Sequence, residues 1–158
     1  MTKTKSSIIA RNLAFVSAIV AAIVMATGSE KIETDDYVFI AKFDNWNSFK
    51  YFFAANVFGG LYNLLVLLLP SGSLLWRPVL GLDMVVNVIL STSLSAAFRT
   101  VKAGNSHTNW SPVCIYVPNF CGKVFGALIM GSIGCTVNFL LLCYSLHVIV
   151  NPLLLLPE

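Results

Sequence analysis

The chain is poor in the residues that soluble domains and nucleic-acid-binding proteins depend on. Only 11% of its 158 residues are charged, against roughly 25% in an ordinary soluble domain. The net charge of +3 is spread over short connections, and no basic run is interleaved with aromatic residues. We therefore exclude an ordinary soluble fold and expect no nucleic-acid partner.

Catalytic and metal-binding patterns are also lacking. His107 and His147 stand in different regions, without carboxylates or cysteines at ligand spacing, so no metal site is expected. The four cysteines include no Cys-x-x-Cys pair, which argues against a thiol oxidoreductase. Neither a serine nucleophile motif nor a phosphate-binding glycine loop occurs. We expect a protein that is not an enzyme and has no cofactor.

Most of the chain consists of long apolar stretches. Hydrophobic residues make up 57% of it, with a mean hydropathy of +0.80. Four apolar stretches are each near or above the ~20 residues that cross a bilayer as a helix. The prediction is an all-α fold, an integral membrane four-helix bundle that forms one domain over residues 1–158, with spans at 8–27, 49–69, 79–98 and 124–150.

The first apolar stretch also has the outline of a cleavable signal peptide, with Lys3 and Lys5 ahead of the apolar run and Ala26-Thr27-Gly28 after it. We favour an uncleaved helix, because cleavage would remove Arg11 and leave Asp83 without its expected partner. When the basic residues of all loops are counted together, they favour an N-terminus outside the cell. The basic residues that flank the first helix favour a cytosolic N-terminus. We expect cytosolic termini, with extracellular loops at 28–48 and 101–122.

Arg11 and Asp83 are charges a few residues inside two different spans. They lie ~5 Å and ~6 Å past the predicted helix starts at Ile8 and Val79. The first and third spans are parallel, so the two charges fall at one depth and are predicted to form an intramembrane ion pair. A structural pair is favoured over a proton or ion relay, because an arginine beside the acid would hold it ionised. Alternatively, Arg11 snorkels to the interface and Asp83 turns to Asn87.

The third span carries a polar stripe that must face protein or a wet cavity. Its members recur every four residues: Asp83, Asn87, Ser91, Ser95 and Arg99. Asn63 and Asn138 both lie ~21 Å from the outer ends of their spans, which brings them towards the level of the two charges. We predict a polar layer in the cytosolic half of the bundle, formed by Asn63, Asn87, Ser91 and Asn138.

Small residues four apart mark two helix faces for close packing. The first span has alanines at this spacing, including Ala18 and Ala22. The fourth has two such rows, Gly122 with Gly126 and Ala127 with Gly131. We predict helix packing at Ala18, Ala22, Gly126 and Gly131. The same faces could serve contacts between subunits or be used up inside one bundle.

The connecting loops carry further candidates. Tyr37, Phe39, Phe43 and Trp46 in the first loop indicate an aromatic belt at the headgroups, with a ligand site as the alternative. In the last loop, Cys114 and Cys121 could form a disulfide in an oxidising compartment or remain two free thiols. Trp110 and Pro112 make glycosylation at Asn109 doubtful.

A set of these residues resembles the plant Casparian strip membrane domain protein family, in its CASP-like branch. The residues that carry the resemblance are Arg11, Phe52-Phe53-Ala54-Ala55-Asn56, Asp83, Gly104-Asn105-Ser106, Asn109-Trp110, Pro112, Cys114 and Phe120-Cys121. Arg11 and Asp83 match the charged hallmarks of the family's first and third spans, and Cys114 and Cys121 match its loop cysteines. The segment Tyr37 to Phe43 only loosely resembles the signature of the strip-forming members.

The resemblance implies a four-span plasma-membrane protein related to MARVEL-type bundles, with cytosolic termini, that forms homo- and hetero-oligomers. Strip-forming members build a membrane platform, block lateral diffusion and recruit wall-modifying enzymes. We therefore expect a non-enzymatic scaffold whose partners are itself, related family members, membrane lipids and cell-wall-modifying enzymes. The alternative is a small transporter or channel subunit that uses the Asp83 stripe. A thiol redox enzyme that depends on Cys114 and Cys121 is a third class.

Overall fold

A computed structural model of the chain describes residues 5–34, 37–70, 76–103 and 117–154. Within these ranges the elements are α1 (Lys5–Thr27), β1 (Ser29–Thr34), β2 (Tyr37–Lys42), a 3-10 turn (Phe43–Asn45), α2 (Asn47–Leu68), α3 (Trp76–Ala103) and α4 (Pro118–Leu154). The predicted all-α four-helix architecture is confirmed, with a small hairpin added between the first two helices.

All four helices are long and apolar enough to cross a membrane. The segments that meet this description are Lys5–Thr27, Asn47–Leu68, Pro78–Val101 and Pro118–Val148. The last helix is the largest departure from the predicted bounds, because it begins at Pro118 inside the predicted irregular loop. Proline suits the first turn of a helix, where its missing N–H has no helical partner. Its 37 residues span ~55 Å, more than the ~30 Å of a hydrocarbon core.

The helices stand in a square. α1 packs against α2 and α4, and α3 packs against the same two helices, so α1 and α3 lie diagonally opposite each other. The small-residue face of α1 is turned inward, with Ala14, Ala18, Ala21 and Ala22 all buried. That face is therefore used for packing inside the bundle.

The hairpin was missed by the sequence analysis, which treated residues 28–48 as a loop. β1 and β2 pair antiparallel, with Lys31 opposite Ile40 and Glu33 opposite Val38. Val38 and Ile40 are exposed on one face, and Ala41 is buried on the other. This alternation in a β-prone stretch is the signal that could have predicted the strand.

The loop aromatics pack into the bundle end. The Trp46 ring stacks on the Phe120 ring of α4 with 5.5 Å between centroids, and Phe43 lies 5.4 Å from Phe53. Phe49 and Phe120 are fully buried in the same cluster. Phe43 and Trp46 are therefore half-buried against the helices, and their position at the headgroups stays a prediction. The side chains of Tyr37 and Phe39 lie outside the described part.

Candidate functional site: an intramembrane polar network

Arg11 and Asp83 face each other across the diagonal of the bundle. The Arg11 guanidinium donates from Nη1 to Asp83 Oδ1 at 2.9 Å and from Nη2 to Oδ2 at 2.8 Å. Two parallel hydrogen bonds of this kind fix both distance and orientation. Because α1 and α3 are not packed directly on each other, these long side chains connect the two helices through the centre of the bundle.

Tyr62 of α2 completes the shell around the carboxylate. Its hydroxyl lies 2.6 Å from Asp83 Oδ1 and 3.0 Å from the carbonyl oxygen of Val79, so its single proton is shared between two acceptors. The Arg11 guanidinium also lies 5.8 Å from the centre of the Tyr62 ring, a cation–π distance. Tyr62 was not predicted from the sequence, although it lies three residues after Gly59 and four before Val66, a spacing that places these residues on one face of α2.

Asn63 and Asn138 cross the other diagonal. Asn63 Nδ2 donates to Asn138 Oδ1 at 3.1 Å and to the Gly59 carbonyl at 2.9 Å, while Asn63 Oδ1 accepts from Arg11 Nη1 at 3.3 Å. Asn138 Nδ2 returns to the carbonyl of Gly134 on its own helix at 2.8 Å. Through Asn63 the two diagonals become one network with members on all four helices.

Burial of this network is nearly complete. The exposed fractions are 4% for Arg11, 3% for Asp83, 0% for Asn63 and 3% for Asn138. A charge in such a place is costly unless it is paired and hydrogen-bonded. Every side-chain oxygen and amide nitrogen of Asp83, Asn63 and Asn138 has a partner. The arrangement can hold helices in register, and it leaves little hydrogen-bonding capacity for a ligand.

Two residues predicted for the polar layer do not join the network. Asn87 is buried, and its Nδ2 donates to the backbone carbonyl of Asp83 at 2.8 Å, but its Oδ1 has no partner among the described residues. Ser91 is exposed, and its hydroxyl bonds to the Asn87 carbonyl of its own helix. Ser91 is two helical turns from Asp83, so it lies beyond the layer.

Comparison with known proteins identifies the family. Residues 1–137 match the Casparian strip membrane protein domain. The chain belongs to this family. CASP-like protein 1C1 of Arabidopsis thaliana is 42% identical over 158 residues, covering 98% of this chain and 96% of that protein. CASP-like protein 1C2 of Vitis vinifera is 42% identical over 143 residues, with 89% of each chain covered. No solved structure matches.

Membership confirms the resemblance drawn from the sequence, and it describes a membrane protein family and not an enzyme family. Together with the four apolar helices, it makes the chain a multi-pass membrane protein. Within this Casparian strip membrane protein domain, the Arg11–Asp83 pair is the most deeply buried charged feature that the structure describes.

Small residues surround the network, but not all of those predicted. Ala18 and Ala22 are buried, and a Cβ built at Gly131 would lie 2.6 Å from the Phe52 ring tip. Gly126 differs, because nothing lies within 4 Å of such a Cβ. Its predicted packing role does not hold inside the bundle, since α4 turns this residue outward.

The cysteine predictions reach the edge of the described chain. Cys121 is buried in the first turn of α4, whereas Cys114 and Asn109 lie outside the described residues. Free thiols in the described part are Cys135 and Cys143. The bond between Cys114 and Cys121 therefore stays a prediction. His107 is also outside this part, and in the described ranges no three metal-binding side chains form a group.

A second polar contact joins the hairpin to α4. The Glu30 carboxylate accepts from Asn119 Nδ2 and from the backbone N–H of Phe120, both at 2.9 Å. The second bond satisfies a free N–H at a helix N-terminus, where negative charge is also favoured by the helix dipole. Glu30 thus acts as a cap supplied from another element, and it fastens the hairpin to the bundle.

Proposed function

We propose that this member of the family is a non-enzymatic plasma-membrane scaffold that self-associates and organises membrane subdomains. The observation that carries the proposal is the polar network: its charges and amides bond to one another and join all four helices. Because the polar groups of the core bond to one another, the bundle is rigid, and a rigid bundle suits a scaffold on which other proteins assemble. Both termini are proposed to be cytosolic, with the hairpin outside.

The network supports a scaffold better than a transporter. A proton or ion relay generally needs an acid whose oxygens can meet a water molecule or an ion. Both Asp83 oxygens instead accept from Arg11, and Oδ1 also accepts from Tyr62. The same pairing compensates the cost of placing two charges away from water. These contacts favour a permanent structural pair over the alternative of a small transporter or channel subunit.

The outer face of α4 provides the surface for lateral association. Large exposed apolar side chains lie on this helix beside Gly126, among them Phe125, Ile129 and Ile133. The outward position of Gly126, unpacked in one subunit, would allow a second helix to approach α4 closely. We propose partners of two kinds: this protein and related members through the helices, and cell-wall-modifying enzymes through the extracellular hairpin.

The experiment is quantitative crosslinking of purified protein in membrane discs, and it compares two variants with the wild type. We expect oligomers whose yield falls with Gly126→Leu, which blocks an outward face, and not with Leu65→Ala on the opposite side of the bundle. Liposomes that contain the protein should show no proton or ion flux. Monomers at all protein densities would contradict self-association. Proton or ion flux that Asp83→Asn abolishes would favour the transporter class.

A further inference from the structure

A shallow groove that contains hydroxyl groups and one guanidinium lies on the outer surface of α3, towards the end of the helix beside the hairpin. Its volume is about 360 Å³, and its lining consists of Ser91, Thr92, Ser95, Ala96 and Arg99. The lipid-facing side of a spanning helix is normally apolar, and polar side chains there need polar partners. The groove therefore points to an occupant that is itself partly polar.

The depth of the groove matches the boundary region of one leaflet. The apolar part of α3 ends at Val101, so Arg99 lies ~3 Å inside that end, and Ser95 and Ser91 lie ~6 Å and ~12 Å deeper than Arg99. An arginine so near the end of a span extends its guanidinium to the level of the lipid phosphates. Ser95, one turn deeper on the same face, lies at the level of the ester groups.

Two donors in the groove are available to an occupant. The hydroxyls of Ser91 and Thr92 already bond to carbonyls of their own helix, and Thr92 also bonds to the Tyr51 hydroxyl at 2.9 Å. Ser95, in contrast, makes no hydrogen bond within the described residues. Arg99 likewise forms no salt bridge there. The groove thus offers one cation and one hydroxyl, a single turn apart.

None of the acidic side chains described on this side forms a salt bridge with Arg99. Glu30 caps α4, Asp44 forms an ion pair with Lys50 at 3.0 Å, and Glu33 is exposed on the hairpin without a salt bridge to any described residue. The abundant anion at this depth is a lipid phosphate. We propose that the groove binds an anionic phospholipid, with its phosphate on Arg99, an ester carbonyl accepting from Ser95 and an acyl chain running past Ala96.

The test is native mass spectrometry of the full-length protein, with phosphatidic acid and phosphatidylcholine added in equal amounts. We expect preferential retention of phosphatidic acid, and about a five-fold loss of that retention in Arg99→Gln. Ser95→Leu, which fills the groove, should lower it similarly. Lys123→Gln removes an exposed cation from the same membrane side but outside the groove, so retention should be unchanged.

Several results would overturn the proposal. Equal loss in Arg99→Gln and Lys123→Gln would indicate diffuse surface charge. Displacement by excess glycerol 3-phosphate would indicate a site for free phosphate. A fall in dimer yield on Arg99→Gln without a change in lipid retention would assign the groove to a second copy of the chain. The scaffold proposal is independent of these outcomes, because it rests on the buried network.

Discussion

At the scale of single residues, the bundle depends on how each buried polar atom finds a partner. The Asp83 carboxylate receives three hydrogen bonds, two from Arg11 and one from Tyr62. Removing one member of a buried pair leaves an uncompensated charge, which costs more than the pair itself contributes. Substitutions of Arg11 and Asp83 are therefore expected to lower stability more than loss of the Tyr62 hydroxyl.

Asp83→Ala should lower the free energy of unfolding by about 3 to 5 kcal/mol, because Arg11 would stay charged in the bundle without its partner. Unfolding in mixed micelles measures the change. Ser91→Ala is the matched control on the same helix, and it should change stability by less than about 0.5 kcal/mol. Equal effects of the two variants would show that the carboxylate is not buried against Arg11.

Tyr62→Phe should cost about 1 to 2 kcal/mol, since the ring remains but a hydrogen bond to a carboxylate is lost. The free energy of unfolding is again measured in mixed micelles. Tyr51→Phe provides a comparison, because that hydroxyl bonds to Thr92 at an exposed position. A larger loss for Tyr51→Phe than for Tyr62→Phe would contradict the position assigned to Tyr62.

At the scale of elements, hydrophobic periodicity predicted the four helices, but it did not predict the hairpin or which face of α4 points inward. The four-residue spacing of Ala14, Ala18 and Ala22 predicts an inward face, and those residues are buried. Gly126 follows Gly122, and Gly131 follows Ala127, at the same spacing. The spacing does not separate the outward Gly126 from the inward Gly131, because that depends on which side of α4 the neighbouring helices occupy. The hairpin escaped prediction because its alternation is short and follows acidic residues.

Gly131→Val should destabilise the bundle by about 1 to 3 kcal/mol, because branched atoms would enter space held by the Phe52 ring. Thermal unfolding in detergent gives the comparison with Gly126→Val. We expect the outward variant to unfold near the wild-type temperature. If Gly126→Val proved the more damaging change, the assigned rotation of α4 would be wrong.

Glu30→Gln should loosen the hairpin from α4 while leaving the helices folded. The neutral amide weakens the bond to the Phe120 N–H and loses the interaction with the helix dipole, at a cost of about 1 kcal/mol. Hydrogen exchange should accelerate in β1 and β2 and remain slow in α2. Glu33→Gln, on the exposed face of β1, serves as control and should leave exchange unaltered.

At the scale of the whole molecule, the sequence predicted a shared polar level but not its geometry. Helix rise alone placed Arg11 with Asp83 and Asn63 with Asn138, because depth along parallel or antiparallel spans follows from residue counts. Which helices lie opposite each other depends on their order around the bundle, and residue spacing does not determine that order. Tyr62 was missed for the same reason: its hydroxyl matters only once Asp83 lies beside it.

Arg11 and Asp83 neutralise each other inside the bundle, and a double-mutant cycle in mixed micelles measures this pairing. Arg11→Leu and Asp83→Leu should each lower the free energy of unfolding by about 3 to 5 kcal/mol, and the double variant should be more stable than either single one because no buried charge remains. A double variant whose loss equals the sum of the two single losses would contradict direct pairing.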